Sequence, residues 1–320
     1  MDEEARGTQW PKDIPPPPGL LNAALAIFVV AAGIALQVMG SRQRDALAIV
    51  AAGLAFSFVF LPLYSLLHEA EHRVLHRNRR VNDAFGVVLA AFFPGSFTFL
   101  RACHLGHHRR NRSDAEMFDL YYPSDSLAKK RVTFYALYLG GFWLTVPLAT
   151  ILLVFRPSLL GSQLVQDAPT AAAMVNGVPA SWVRRIRKEC AAVILLHTAL
   201  IAGLHLAPAT YALLYFLFGL NWSAQQYVTH AASPRHVQNG AHNLKAHPLY
   251  AGLLLNFNWH LAHHQHPGVP WIHLPRYDDK TRVRPGYLGA FIRFWRGPRP
   301  TAERPASDVA AGQPGATIAA

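Results

Sequence analysis

The sequence predicts an all-α, multi-pass transmembrane helical bundle with a histidine-rich cap. Three observations predict it: the chain is poor in charge, it contains long uncharged runs, and its histidines gather at the ends of those runs. Of 320 residues 52% are hydrophobic and only 15% charged, and the mean hydropathy is +0.15. A soluble domain carries about a quarter charged residues, so this balance belongs to a chain in the bilayer. The formal net charge of +12 suits cytoplasmic loops and anionic headgroups; membrane lipids are the expected partners and nucleic acid is not. Two cysteines, Cys103 and Cys190, cannot supply a disulfide framework or the four thiolates of an iron–sulfur cluster. Any electrons the chain uses come from elsewhere.

The polar segment 1–19 ends in Pro15-Pro16-Pro17-Pro18 and lacks the pattern of a cleaved signal peptide. Leu20 to Met39 and Ala46 to Leu67 are uncharged and long enough to cross the hydrocarbon core as helices, with the polar turn Gly40 to Asp45 between them. Ala84 to Leu100 is shorter and carries Pro94-Gly95, which fits a re-entrant or interfacial segment as well as a crossing. Thr133 to Phe155 follows the basic flank Lys129-Lys130-Arg131, and Cys190 to Leu220 holds Ala207-Pro208, so it is one kinked helix or a hairpin of two. The count is four crossings, or six if both late segments are hairpins. Between them, Arg184, Arg185, Arg187 and Lys188 argue for the cytoplasm, whereas a single crossing over Thr133 to Phe155 places residues 156–189 outside. The membrane domain is expected over 20–296, and the tail 297–320, rich in Pro, Ala and Gly, is expected to be disordered.

Seventeen histidines are many for such a chain. His68-Glu69-Ala70-Glu71-His72 follows the second apolar run, and a four-residue step puts both imidazoles on one helix face. His104-Leu105-Gly106-His107-His108 follows the re-entrant candidate, and His260-Leu261-Ala262-His263-His264 repeats its spacing. At this histidine frequency an H-x-x-H-H pattern arises by accident about 0.05 times in such a chain. Neutral imidazole is the commonest transition-metal ligand, and eight of them exceed what one ion can take. Two metals are implied.

These boxes, their order and their position relative to the apolar hairpins resemble the integral-membrane fatty acid desaturase and hydroxylase family, which also includes alkane hydroxylases and carotenoid ketolases. The run from His68 to Asn78 followed by Asn82 and Gly86 is similar to that family's first region, and His263-His264-Gln265-His266-Pro267-Gly268-Val269-Pro270-Trp271 to its H-H-x-x-P-x-V-P ending. The similarity runs from about Leu61 to Pro275. Glu71 stands where an uncharged residue is common, and His76 where an aromatic is.

The resemblance implies a ninth ligand, His230, in Gln226-Tyr227-Val228-Thr229-His230, with Gln226 as an outer or water-mediated partner. It further implies two non-haem irons on a cytosolic cap, held by His68, His72, His104, His107, His108, His230, His260, His263 and His264. Dioxygen is then the co-substrate, and an external donor, a ferredoxin or a cytochrome with its reductase, supplies electrons. The expected reaction is desaturation of a lipid acyl chain. Hydroxylation is the close alternative, and a carotenoid or alkane substrate the more distant one. Glu69, Glu71, Asp83, Asp114, Glu116 and Asn243 are candidates to receive the outer N–H of a metal-bound imidazole, against a plain reading as solvated loop charges or helix caps.

Other features have blander readings. His197 and His205 lie inside the last apolar segment but in no box, which suits helix packing. His76, His236, His242, His247, His266 and His273 read as interfacial or as neighbours of the site, Cys103 as an inert buried thiol, and Phe92-Phe93 and Phe97-Thr98-Phe99 as core or lipid-facing. His68-Glu69-Ala70-Glu71-His72 also matches the H-E-x-x-H of zinc metalloproteases with Glu69 as base, but that leaves both H-x-x-H-H boxes unexplained. A metal transporter places ligands at the bilayer midplane, whereas these histidines lie beyond the ends of the crossings.

Overall fold

The structure, a computed structural model, describes Trp10 and residues 13–305; most of the N-terminal polar segment and residues 306–320 lie outside the described residues. Helices α1 (Gly19–Ser41), α2 (Ala46–Val59) and α3 (Leu61–Glu71) form the predicted apolar hairpin. Asp45 caps α2 by accepting the Ala48 N–H at 2.8 Å. The only break between α2 and α3 is Phe60, followed by Pro62 in the first turn of α3. That ring lies where a Cβ on Gly33 of α1 would be, 2.0 Å away, so the hairpin closes only with glycine there. Three helical stretches, Gly19–Ser41, Ala46–Glu71 and Leu127–Phe155, are long and apolar enough to cross a membrane, or four if the bent pair below counts as one.

Helices α4 (Arg79–Phe92) and α5 (Phe97–Arg110) meet at 97° around Pro94-Gly95. α4 starts seven residues after His72, and α5 ends with His104 and His108 against His72. Both outer ends therefore lie at one end of the bundle, and the pair is re-entrant. A break in an apolar interior strands backbone groups that only side chains can satisfy. Here His197 contacts Ala91 O at 2.9 Å, Tyr215 donates to Phe92 O at 3.1 Å, and Thr150 donates to Pro94 O at 2.8 Å. On the α5 side the Glu189 carboxylate accepts from the Ser96 hydroxyl, the Thr98 N–H and the Thr98 hydroxyl at 2.6, 2.9 and 2.7 Å. His197 is thus a packing histidine, as its position outside the boxes suggested.

The stretch Leu127–Phe155 is two helices, α6 (Leu127–Ala136) and α7 (Phe142–Phe155), kinked at Gly140, whose φ of +106° needs glycine. The end of α7, at Leu153 and Val154, packs against Phe99 and against Ile186 and Cys190 of α10 (Val183–Gly203). Between α7 and α10 come the short α8 (Gln163–Gln166) and α9 (Pro169–Val175), and Thr170 of α9 donates to Ala115 O at 2.8 Å. Residues 156–182 thus return to the histidine end, where their basic neighbours suggested they belong.

Cys190–Leu220 is a hairpin of α10 and α11 (Pro208–Gln225), turning at Leu204–Ala207 beside the α1–α2 turn, where Thr210 faces Gly40. Four strokes, α1, α2–α3, α10 and α11, join the two ends of the bundle. Phe56 and Phe60 stack at its centre, and Phe218 meets Phe60 edge-on. Beyond α11 come α12 (Pro248–Leu253), α13 (His260–Gln265) and α14 (Tyr287–Phe294), and a two-residue parallel ladder of β1 (Leu120–Tyr121) with β2 (Arg299–Pro300). Arg299 and Thr301 donate backbone bonds to Asp119 and Tyr121, and Glu303 accepts from Arg235 N at 3.1 Å, so the start of the tail has fixed partners.

Candidate metal centre

α3, α5 and α13 deliver their histidines by helical spacing alone, since steps of three and four residues share a face. The rings converge. Nε2 of His72 and His104 lie 2.6 Å apart, those of His104 and His108 3.2 Å, and those of His108 and His263 3.0 Å; the His68 ring lies 4.3 Å from that of His263. A second group forms around His260 and His230, with Nε2 atoms 2.9 Å apart, together with His107 and His264. In each group, the five of His68, His72, His104, His108 and His263 and the four of His107, His230, His260 and His264, the potential ligand atoms lie within 4.8 Å of one another.

Hydrogen bonding among the rings does not account for this convergence. A neutral imidazole has one N–H and one acceptor, yet His68 Nε2 and both ring nitrogens of His264 are buried with no partner at all. Stranded buried polar atoms are costly, and a cation at the focus of each group relieves them. Burial, reinforced by the neighbouring rings, holds His72, His230, His263 and His264 well below the usual imidazole pKa and lowers His260 to about 3. Neutral rings keep the lone pairs that a transition metal takes.

The fatty acid desaturase family model matches residues 45–295, a span that contains every one of these histidines. The chain belongs to the fatty acid desaturase family. No curated protein matches it. Family membership carries oxidoreductase activity of the desaturase and hydroxylase kind. It also disfavours the rivals: the first box joins three further imidazoles instead of forming a three-ligand protease site, and all nine lie at one end of the bundle.

Carboxylates and a backbone carbonyl surround the rings of this desaturase-family centre. His107 Nδ1 lies 2.6 Å from Glu116 Oε2, Arg110 approaches the other oxygen of that carboxylate, Oε1, at 3.3 Å, and His230 Nδ1 donates to the backbone of Gly240 at 2.7 Å. Glu71 stands 4.0 Å from His104 Nδ1. Glu69 instead accepts the Trp271 N–H at 2.9 Å. Asp114 is half exposed and serves Arg235 and Tyr122. Gln226 donates back to Trp222 O, one turn earlier on its own helix. Asn243 accepts from Ala262 N and donates to Asp278, so it braces α13. Among the described contacts none of these four side chains holds an imidazole nitrogen. Sequence reasoning missed the Gly240 carbonyl, which carries no side-chain signal. It also missed Arg112, Asp119 and Tyr227, buried behind the second group.

A cavity of about 10 Å³ touches both groups: His68 and His263 of the first and His260 of the second line it together with Glu69, Leu255, Phe257 and Trp271.

Proposed function

We propose that the protein is a membrane-bound, dioxygen-dependent di-iron enzyme that desaturates a lipid acyl chain. The observation that carries the reading is the convergence of nine imidazoles, five buried and four partly buried, in two adjacent groups that border one small cavity. When bound, the two irons supply the oxidising power that an unactivated C–H bond demands and no side chain has. Removing two hydrogens from adjacent methylenes consumes one dioxygen, two electrons and two protons, and yields the alkene and two waters. Two cysteines cannot hold an iron–sulfur cluster, which favours an external one-electron donor.

The residues contribute placement. His68, His72, His104, His108 and His263 would hold one ion, and His107, His230, His260 and His264 the other. Leu255, Phe257 and Trp271 form the wall against which the methylenes lie and exclude water from it. Soluble di-iron bundles use carboxylate-rich ligand sets, so the imidazole set favours the membrane class. The basic residues Lys129, Lys130, Arg131, Arg184 and Arg185 near the histidine end support its facing the cytoplasm.

Lipids from cells with and without the protein, compared by mass spectrometry, test the reaction. Desaturation gives acyl chains short of two hydrogens. A gain of one oxygen would move the assignment to hydroxylation, and no change in any lipid would remove it.

A further inference from the structure

Among the described residues Arg112 is the largest side chain without solvent exposure, and its guanidinium lies over the Tyr227 ring, 5.8 Å from the centroid. It sits four residues after His108 with φ +62°, a left-handed conformation uncommon for any residue but glycine. Its Nη1 donates to the Asp119 carboxylate and, at 2.8 Å, to the Tyr227 hydroxyl; its Nη2 donates to Ser233 O at 2.9 Å. The other Asp119 oxygen accepts from Ala232 N at 2.7 Å, and the Tyr227 hydroxyl donates to the backbone carbonyl of Glu116. One guanidinium therefore ties together two loops. The first, 111–119, carries Glu116, the carboxylate on His107. The second, 227–240, carries His230 and the Gly240 carbonyl that receives its Nδ1 proton. Asn111 adds bonds from the first loop to Val237 O and Gly240 O at 2.8 and 3.2 Å.

The first group has no such dependence. Its five rings stand on α3, α5 and α13, and among the described residues no hydrogen bond of Arg112, Asp119 or Tyr227 reaches them. A buried ion pair is a poor way to gain packing energy, because desolvation offsets much of its attraction. What it supplies is direction, and here both directions lead to one group.

We propose that Arg112 is the positioning residue of the four-imidazole group: held between Asp119, Tyr227 and Ser233, it fixes the two loops that aim His107 and His230, and so governs occupancy of the second metal site and not of the first. This rests on the two-metal reading above.

The test uses the full chain in detergent micelles, loaded with ferrous iron, with metal content and electron paramagnetic resonance as readouts. R112K keeps the charge but loses the fork of donors, and Y227F removes one hydroxyl, so both avoid leaving Asp119 unpaired in the interior as R112A does. Each variant is expected to hold about one iron where the unmutated chain holds about two. After oxidation the remaining ion gives the signal of an isolated ferric centre instead of the silent coupled pair. Retention of a coupled pair in both variants overturns the proposal. So does equal loss from both groups in a variant whose helix content is unchanged, since that marks a general scaffold role. An unmutated chain holding fewer than two irons overturns the two-metal reading itself, and this control separates the two failures.

Discussion

In the five-imidazole group every ring stands on a helix or its last turn: His68 and His72 on α3, His104 and His108 on α5, His263 on α13. In the four-imidazole group His230 stands on a loop, and His107, though on α5, takes its orientation from Glu116 on another loop. The first group is specified by helical spacing and by the packing of three helices. The second depends on a layer of polar side chains behind the ligands. Two sites that are chemically alike therefore have different points of failure.

Removing a ring from either group should have the largest effect. His263→Ala and His107→Ala are expected to abolish lipid oxidation, a loss beyond the roughly 10- to 100-fold that outer partners of metal ligands are worth. Membrane insertion should persist, checked by fractionation beside the product assay. Near-normal turnover in either variant would break the comparison at its root.

Outer carboxylates should then separate the groups. Glu116 touches His107 at 2.6 Å, whereas Glu71 stands 4.0 Å from His104. Glu116→Ala is expected to weaken metal binding in the second group by roughly 10- to 100-fold, and Glu71→Ala to weaken the first by much less. Metal titration of both variants measures the difference. Equal losses would mean that the two groups are supported alike.

Metal removal should expose the buried rings to acid. The His260 pKa falls from 6.5 to about 3 in the folded chain, so between those values the unfolded chain binds more protons. Stability of the metal-free protein is then complete above about 6.5 and is lost as the pH falls toward 3. Thermal unfolding in the presence of a chelator should show a lower midpoint at about pH 5 than at neutrality. A flat profile would contradict neutral, buried imidazoles.

The sequence made some of this legible and some not. The boxes at steps of three and four, and the uncharged runs of α1 to α3, have local periods that survive in the chain. The re-entrant bend was half legible, because Pro94-Gly95 marks a break but not which partners satisfy it. Those partners, His197, Tyr215, Thr150 and Glu189, are about 56 to 123 residues away and leave no local pattern. Residues 156–189 were ambiguous because an apolar stretch of 29 residues looks like a crossing unless the φ of Gly140 is known. Arg112 was illegible for a different reason. In the run Arg109-Arg110-Asn111-Arg112 it reads as a solvated charge, and only tertiary structure shows that it is enclosed.

Glu189 gives a smaller effect and a control. It bears on neither group directly, but it caps the start of α5, whose far end supplies rings to both. Glu189→Ala strands two hydroxyls and one N–H at the bend, at a cost of about 2–3 kcal/mol. Because α5 serves the two groups together, metal should fall in both by the same factor. An unequal loss would show that α5 does not move as one body.

The smallest effect is expected from the tail. Ending the chain after Gly297 removes the Arg299 bond to Asp119 O and the Thr301 bond to Tyr121 O, both at 2.9 Å. It also removes the contacts of Glu303 with Arg235, a fully buried arginine whose Nε donates to Arg112 O at 3.0 Å. Each lost bond is worth roughly 0.5–1.5 kcal/mol, and all of them lie behind the second group. The truncated chain should insert and keep its first metal, with a modest fall in affinity for the second, measured by the same titration as Glu116→Ala. Unchanged affinity would place the limit of the supporting layer at Arg112 and Asp119. A loss as large as that of Glu116→Ala would extend it to the chain's last described residues.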